Sequence, residues 1–369
     1  MTDPARRFFE AERLRAAGDL ARAEFEYRAL LDTMPRHVGG LTGLAAIHDA
    51  VGQAGAAAAC RVRIDAIRAE GTANVGARLL YRGDVKKARQ CCTQALALDP
   101  DCLKAHWLLG DICARADDSE AALAHYRRCR EIAPERLGPG FMMAALGEGE
   151  TPAQAPADFV TAQFDWYADS FDDHLVNMLL YRGPEEVAKA LRPELGSEKP
   201  AFLDLGCGTG LLGPEVRSFA GRLIGVDLSP AMLEKAAARG LYDALVTGDL
   251  VEFLVQQPAA SADIAAAVDV VVYIGDIALL CAAVARVLRP GGIFAFTTER
   301  WDTDDPKDPP GERGWHLRPN GRYRHARAYV RTLAAQNGFD VEAMEDRVLR
   351  YELGLPVDSD LILLRKRAC

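Results

Sequence analysis

The stretch "FLDLGCGTGLLG" at residues 202–213 constrains the fold of this chain more than any other. Phe202, Leu203 and Leu205 read as a buried strand, and residues 211–219 read as the start of a helix. Gly206, Gly208 and Gly210 stand between them at alternate positions. A strand that turns into a helix through glycine belongs to a parallel sheet with crossover helices, and it lets a ligand approach the backbone closely. Asp204, just before the turn, narrows the choice of ligand. A carboxylate there would repel a pyrophosphate and hold an ammonium group.

The following sequence keeps that grammar. Apolar runs at 201–205, 222–226, 244–247, 264–268 and 292–298 alternate with helical patterns at 211–219, 229–239, 250–257 and 276–289. A last helix at 326–337 precedes "GFDVEAMEDRVLRYEL" and "DLILLRKR", two strands with no helix between them, which predicts an antiparallel pair at the end of the sheet. Strand two ends in "LIGVDLS", so Asp227 lies twenty-one residues beyond Gly206, where a carboxylate accepts both hydroxyls of an adenosine ribose. Strand three ends in "LVTGDL", which places Asp249 at the neighbouring strand end, beside an adenine amino group. Asp227 and Asp249 also precede helices, so capping is the competing role for each.

A ribose, an adenine and an ammonium group together describe S-adenosylmethionine. From "LDLGCGTG" through "VDLSPAML" and "TGDL" to "VLRPGGIFAF" the chain resembles the class I S-adenosylmethionine-dependent methyltransferases. "FDWYADSFDDHLVNMLLYRGPEEVAKAL" and "GRYRHARAYV" look like a bacterial subgroup that carries tetratricopeptide repeats ahead of the methyltransferase. The resemblance implies a Rossmann-like α/β domain and S-adenosyl-L-methionine as cofactor, with S-adenosyl-L-homocysteine as product. It implies that Asp204, Gly206, Cys207, Gly208 and Gly210 hold the methionine part, and that Asp227 binds the ribose. Leu228 and Met232 would border the adenine, Asp249 and Leu250 would meet its edge, and Val268 and Asp269 would face the sulfonium. The loop "VDVVVYIGD" lacks the Asn/Asp-Pro-Pro-aromatic motif of many nucleobase and glutamine N-methyltransferases, and "DPPG" at 308–311 falls too late to replace it.

Methyl transfer from a sulfonium is an in-line displacement, so alignment and exclusion of water matter most. Acceptor-side candidates are Tyr167, Phe171, His174 and Arg182 before strand one, and Trp315, His316, Arg322, Tyr323, His325 and Tyr329 after strand five. His325 is the preferred catalytic candidate, as a base or as a group that orients the acceptor. Phe164, Tyr167 and Phe171 share one helical face, which predicts a cap over the sulfonium with Tyr167 excluding water.

The first third of the chain repeats itself. "GDLARAEFEYRALLDTMP", "GDVKKARQCCTQALALDP" and "DDSEAALAHYRRCREIAP" begin at Gly18, Gly83 and Asp117, and a weaker unit begins near Gly52 without the closing proline. Ala23, Ala88 and Ala122 recur, as do Tyr27, Cys92 and Tyr126, and turns fall 34 residues apart. That period resembles the tetratricopeptide repeat, although His106 stands where the repeat usually has tryptophan. It implies an all-α solenoid over residues 1–137, then a Gly/Pro/Ala-rich linker at 138–157 with one docked turn at Phe141–Leu146, and the methyltransferase domain at 158–369.

A net charge of −9 argues against a nucleic-acid or anionic-membrane partner, and no run is apolar enough to span a membrane. Nine cysteines without a C-x-x-C pair suggest reduced thiols in the cytoplasm, and no ligand cluster suggests a metal. The leading expectation is a methyltransferase for a small-molecule acceptor. The alternatives are a protein methyltransferase whose repeats dock the substrate, and a repeat-based interaction protein with a non-catalytic methyltransferase fold.

Overall fold

A computed structural model describes residues 3–168, 171–173, 175, 178–301, 313–352 and 354–368, without the side chains of Trp166, Tyr167 and Asp173. His174 and the 308–311 segment lie outside the described residues. The chain divides into two compact units, Met1–Pro134 and Glu135–Cys369.

The first unit is all helix: α1 (Pro4–Ala16), α2 (Leu20–Thr33), α3 (Val38–Ala50), α4 (Ala54–Tyr81), α5 (Val85–Leu98), α6 (Leu103–Arg115) and α7 (Ser119–Ile132). The turns at Gly18, Gly52, Gly83 and Asp117 all take positive φ, which ends one helix and aims the next. Asp19, Asp84 and Asp118 follow three of those turns and cap the next helix through their carboxylates. The recurring Ala23, Ala88 and Ala122, with Tyr27, Cys92 and Tyr126, are fully buried between helices. Where the weak second unit lacks its proline, nothing breaks the chain, and α4 runs on for 28 residues.

The second unit begins with α8 (Gly138–Ala145), in the segment expected to be a linker. That segment is packed: Phe141 is buried against Tyr323 and Phe159, and Gln154 bridges to Ile274. Then come α9 (Ala157–Tyr167), α10 (Phe171–Asp173) and α11 (Gly183–Leu191). The sheet follows with β1 (Ala201–Leu205), β2 (Arg222–Asp227), β3 (Ala244–Thr247), β4 (Ala262–Ala267) and β5 (Leu288–Arg300). Helices α12 (Gly213–Val216), α13 (Pro230–Ala238), α14 (Leu250–Gln256) and α15 (Ala278–Val287) make the crossovers.

These five strands are parallel in the order β3-β2-β1-β4-β5. The chain ends with β6 (Trp315–Leu317), β7 (Tyr323–His325), α16 (Arg327–Gln336), β8 (Phe339–Glu352) and β9 (Leu355–Lys366). As expected, β8 and β9 pair antiparallel, and β9 lies antiparallel along β5. The β6–β7 hairpin, which period-2 patterning did not reveal, joins the far end of β5 at Glu299 and Arg300. β1, β2, β4, β5 and β9 carry an apolar core on both faces, as the centre of a covered sheet requires. The carboxyl ends of β1, β2, β3 and β4 therefore open on one edge, and the candidate site lies there.

Candidate active site

Asp204 is the penultimate residue of β1 and only 2% exposed. Burial pushes its carboxyl up to about 7, against the lowering effect of a 2.6 Å hydrogen bond donated by the Tyr242 hydroxyl. Neighbouring Asp227 adds to the rise, and among the described residues no cation is paired with Asp204. The loop beyond it is closed by its own backbone. Gly206 and Cys207 donate to the Val226 carbonyl, Gly210 donates to the Cys207 carbonyl, and Gly208 donates to Asp227 Oδ2 at 2.8 Å. Amides of this turn that sequence reading offered to a ligand are thus occupied, and the turn contributes shape instead. A Cβ on Gly206 would lie 2.5 Å from Val270, whereas one on Gly208 would meet nothing within 4 Å. Gly208 borders open space at positive φ, with its N–H on the Asp227 carboxylate.

Asp227 ends β2 and holds both loops: Oδ2 accepts from Gly208 N, and Oδ1 accepts from Ser229 N at 2.9 Å. Burial raises its pKa, while those backbone donors pull it down. It does not cap α13, because the Ser229 hydroxyl does, through Met232 N at 3.1 Å. Leu228 is half-buried and Met232 fully buried on that helix start. Asp249 behaves differently. It caps α14, accepting from Val251 N at 2.8 Å and Glu252 N at 3.1 Å, so here the capping role is directly visible. Leu250 is buried behind it, Cys207 is buried with a thiol raised by desolvation, and Val268 is half-buried at the end of β4.

This edge is a row of strand-end acids around a glycine turn. Residues 203–296 match the family described as the methyltransferase domain. This region is a methyltransferase domain. Residues 76–136 match the tetratricopeptide repeat. The chain is 36% identical over 141 residues to human methyltransferase-like protein 27, covering 37% of this chain and 56% of the relative. It is 36% identical over 106 residues to a malonyl-[acyl-carrier protein] O-methyltransferase of Serratia marcescens, covering 28% of this chain and 41% of that one. A solved S-adenosylmethionine-dependent methyltransferase from Mesorhizobium loti aligns with 26% identity and a TM-score of 0.39, over 50% of this chain and all of its own. The chain thus spans about half the length of the curated relatives it matches.

Ahead of the methyltransferase domain's first strand, the 157–173 segment is tied to both loops. Asp165 Oδ1 accepts from the Ser229 hydroxyl at 2.5 Å. Asp172 accepts from the Thr209 hydroxyl at 2.5 Å and pairs with Arg239. Phe164 packs edge-on against Phe171 and Tyr273, at 5.8 and 5.5 Å. Sequence reading found the aromatic face and missed the two aspartates, which have no motif of their own. Tyr167 ends α9, and its side chain is outside those described.

His325 ends β7 and is fully buried. Its Nε2–H donates to the Ile274 and Gly275 carbonyls at 2.9 and 3.0 Å, its ring stacks on Tyr329, and burial lowers its pKa to about 4. So weak a base, in so dry a place, ties β7 to the loop after β4. The base assignment loses its support, and what the contacts show is a side chain that fixes the loop after β4. Trp315 and Tyr323 are packed in the core, Tyr329 donates to Asp276, and Arg182 is exposed and paired with Glu185. Asp269 holds a positive φ of 60° beyond β4, with its N–H donated to the Thr297 hydroxyl at 2.8 Å. Its Oδ1 accepts from Arg350 Nη1 at 2.5 Å. Arg350 comes from β8, far along the chain, and no local pattern announced it.

Proposed function

We propose that this protein transfers the methyl group of S-adenosylmethionine to a small-molecule acceptor. The buried carboxyl of Asp204, bonded by the Tyr242 hydroxyl and paired with no cation among the described residues, carries the reading, together with the open space at Gly208 in the same turn. A cationic ammonium seated there would restore the charge that burial suppresses. Asp227, already fixed by two backbone donors, would accept the ribose hydroxyls with its remaining lone pairs, while Leu228, Met232, Asp249 and Leu250 would border the adenine. Bound in this way, the cofactor supplies an electrophilic methyl on a sulfonium. Val268 and Asp269 would flank that methyl, and His325 holds the loop that carries them.

Phe164 and Phe171 would keep water from the reacting centre, held over the two loops by Asp165 and Asp172. The name of the Serratia relative, which specifies O-methylation, supports an oxygen acceptor. Titration of S-adenosylhomocysteine by calorimetry tests the assignment. Asp227→Ala should weaken binding at least tenfold, about 1.4 kcal/mol. Equal affinity in a variant with an unchanged melting temperature would remove the ribose role.

A further inference from the structure

Beyond β4 and β5 lies a cluster of arginines and carboxylates that reaches the cofactor site only through Asp269. Arg350, 1% exposed, donates through Nη1 to Asp269, through Nη2 to Glu299, and through Nε to Glu352 at 3.0 Å. Its whole fork serves the three carboxylates. Arg322 on the β6–β7 hairpin leans on the same acids with one nitrogen only: Nη1 lies 3.2 Å from Glu299 and 3.1 Å from Glu352. Nε and Nη2 of Arg322 form no hydrogen bond among the described residues. Those two groups are one bidentate edge of a guanidinium.

Two phenols share the neighbourhood. Tyr181 sits on a strap tied to β8 on both sides of Arg350, by Arg182 N to the Leu349 carbonyl and Tyr351 N to the Leu179 carbonyl, both 2.8 Å. Tyr273 ends the turn that begins at Asp269. Neither hydroxyl has a hydrogen-bond partner among the described residues. Burial raises the Tyr181 phenol well above its usual range, with Asp269 and then Asp204 adding to the rise and Arg322 opposing it. Burial raises the Tyr273 phenol too, with Arg322 opposing the rise and Asp269 adding to it.

Asp269, Glu299 and Glu352 stand against Arg322, Arg324 and Arg350, so three acids and three arginines balance formally. An anion is favoured by geometry, because the unused donors are on Arg322. Resting on the methyltransferase reading, we propose that the acceptor carries a carboxylate, bound by the Nε/Nη2 edge of Arg322 with Tyr181 and Tyr273 as further donors.

The test is ligand-observed NMR on the full chain saturated with S-adenosylhomocysteine, with acetate, benzoate and phenylacetate as probes against ethanolamine and benzylamine. Carboxylates should bind and amines should not. Arg322→Gln should weaken carboxylate binding at least tenfold and leave S-adenosylhomocysteine affinity within twofold. Tyr181→Phe should weaken it two- to fivefold, and Arg347→Gln, at a half-buried arginine paired with Glu186 and Glu345, should leave it unchanged. Amine binding without carboxylate binding, or an Arg322→Gln protein that binds carboxylates like wild type, would overturn the subsite. Intact S-adenosylhomocysteine binding with no carboxylate signal would also overturn the subsite and spare the methyltransferase. Failure of wild type to bind S-adenosylhomocysteine would remove the methyltransferase reading itself.

Discussion

The helical unit and the acceptor side of the sheet unit solve the same packing problem in opposite ways. In the helices, each turn residue, each capping aspartate and each buried alanine lies within about one repeat of the residues it serves. Beyond β5, the groups that meet come from 181, 269, 299, 322, 350 and 352, so only the complete fold brings them together. Local rules build the first region, and long-range closure builds the second. A single substitution should therefore act on these regions through different physics.

Arg350→Ala should give the largest effect. It strands Asp269 and Glu299 without their buried counter-charge, a class of change worth about 3–5 kcal/mol. Chemical unfolding followed in the sheet unit would measure it, and a loss below about 1 kcal/mol would mean that the cluster is no better than a surface pair. Gly43→Ala comes next. A Cβ there would collide with the Tyr27 ring, so the ring must move, at about 1–3 kcal/mol. This loss should appear in helical unfolding and leave S-adenosylhomocysteine affinity untouched, and a shift in that affinity would break the separation between regions.

Asp204 predicts a pH effect of similar size. With its carboxyl raised to about 7, the ligand-free protein holds a proton there that the unfolded chain releases near its ordinary value of 3.8. That contribution to stability is present at low pH and lost as pH rises through about 7. Binding of the cationic ligand runs the other way: affinity should rise about tenfold from pH 6 to 8. Calorimetry in buffers of different ionisation heat should show proton release near pH 6.5, and a flat profile would show that Asp204 is not beside the ammonium. The smallest effect belongs to Asp249→Ala, about 1 kcal/mol for a lost helix cap. If S-adenosylhomocysteine affinity falls as well, the residue both caps α14 and meets the adenine; if it does not, only the cap remains.

The same contrast governs how much was legible beforehand. Glycine, proline and capping residues act through their own backbone, so the repeats, the five parallel strands and the acids at 204, 227 and 249 could be read in order. The β6–β7 hairpin escaped because its strands are three residues each and follow a polar loop. His325 drew attention as a titratable residue near a helix start, and burial then removed its basicity. Asp165, Asp172, Tyr181 and Arg350 carry no pattern, since their partners lie 37 or more residues away for the aspartates and 51 or more for the Asp269 and Glu299 contacts of Arg350. In the 138–157 segment the docked turn at Phe141–Leu146 could be expected from its apolar run, whereas its partners Tyr323 and Phe159 lie far along the chain and could not.

The missing proline of the second repeat has a mechanical consequence. Helix α4 is 28 residues long, roughly 42 Å at 1.5 Å per residue, and it serves two successive helix pairs at once. Elsewhere in the array a break between pairs allows each to fray by itself. Here the two inner pairs share one backbone, so strain entering at either end crosses the middle without a joint to absorb it, and the centre of the array melts as a single block.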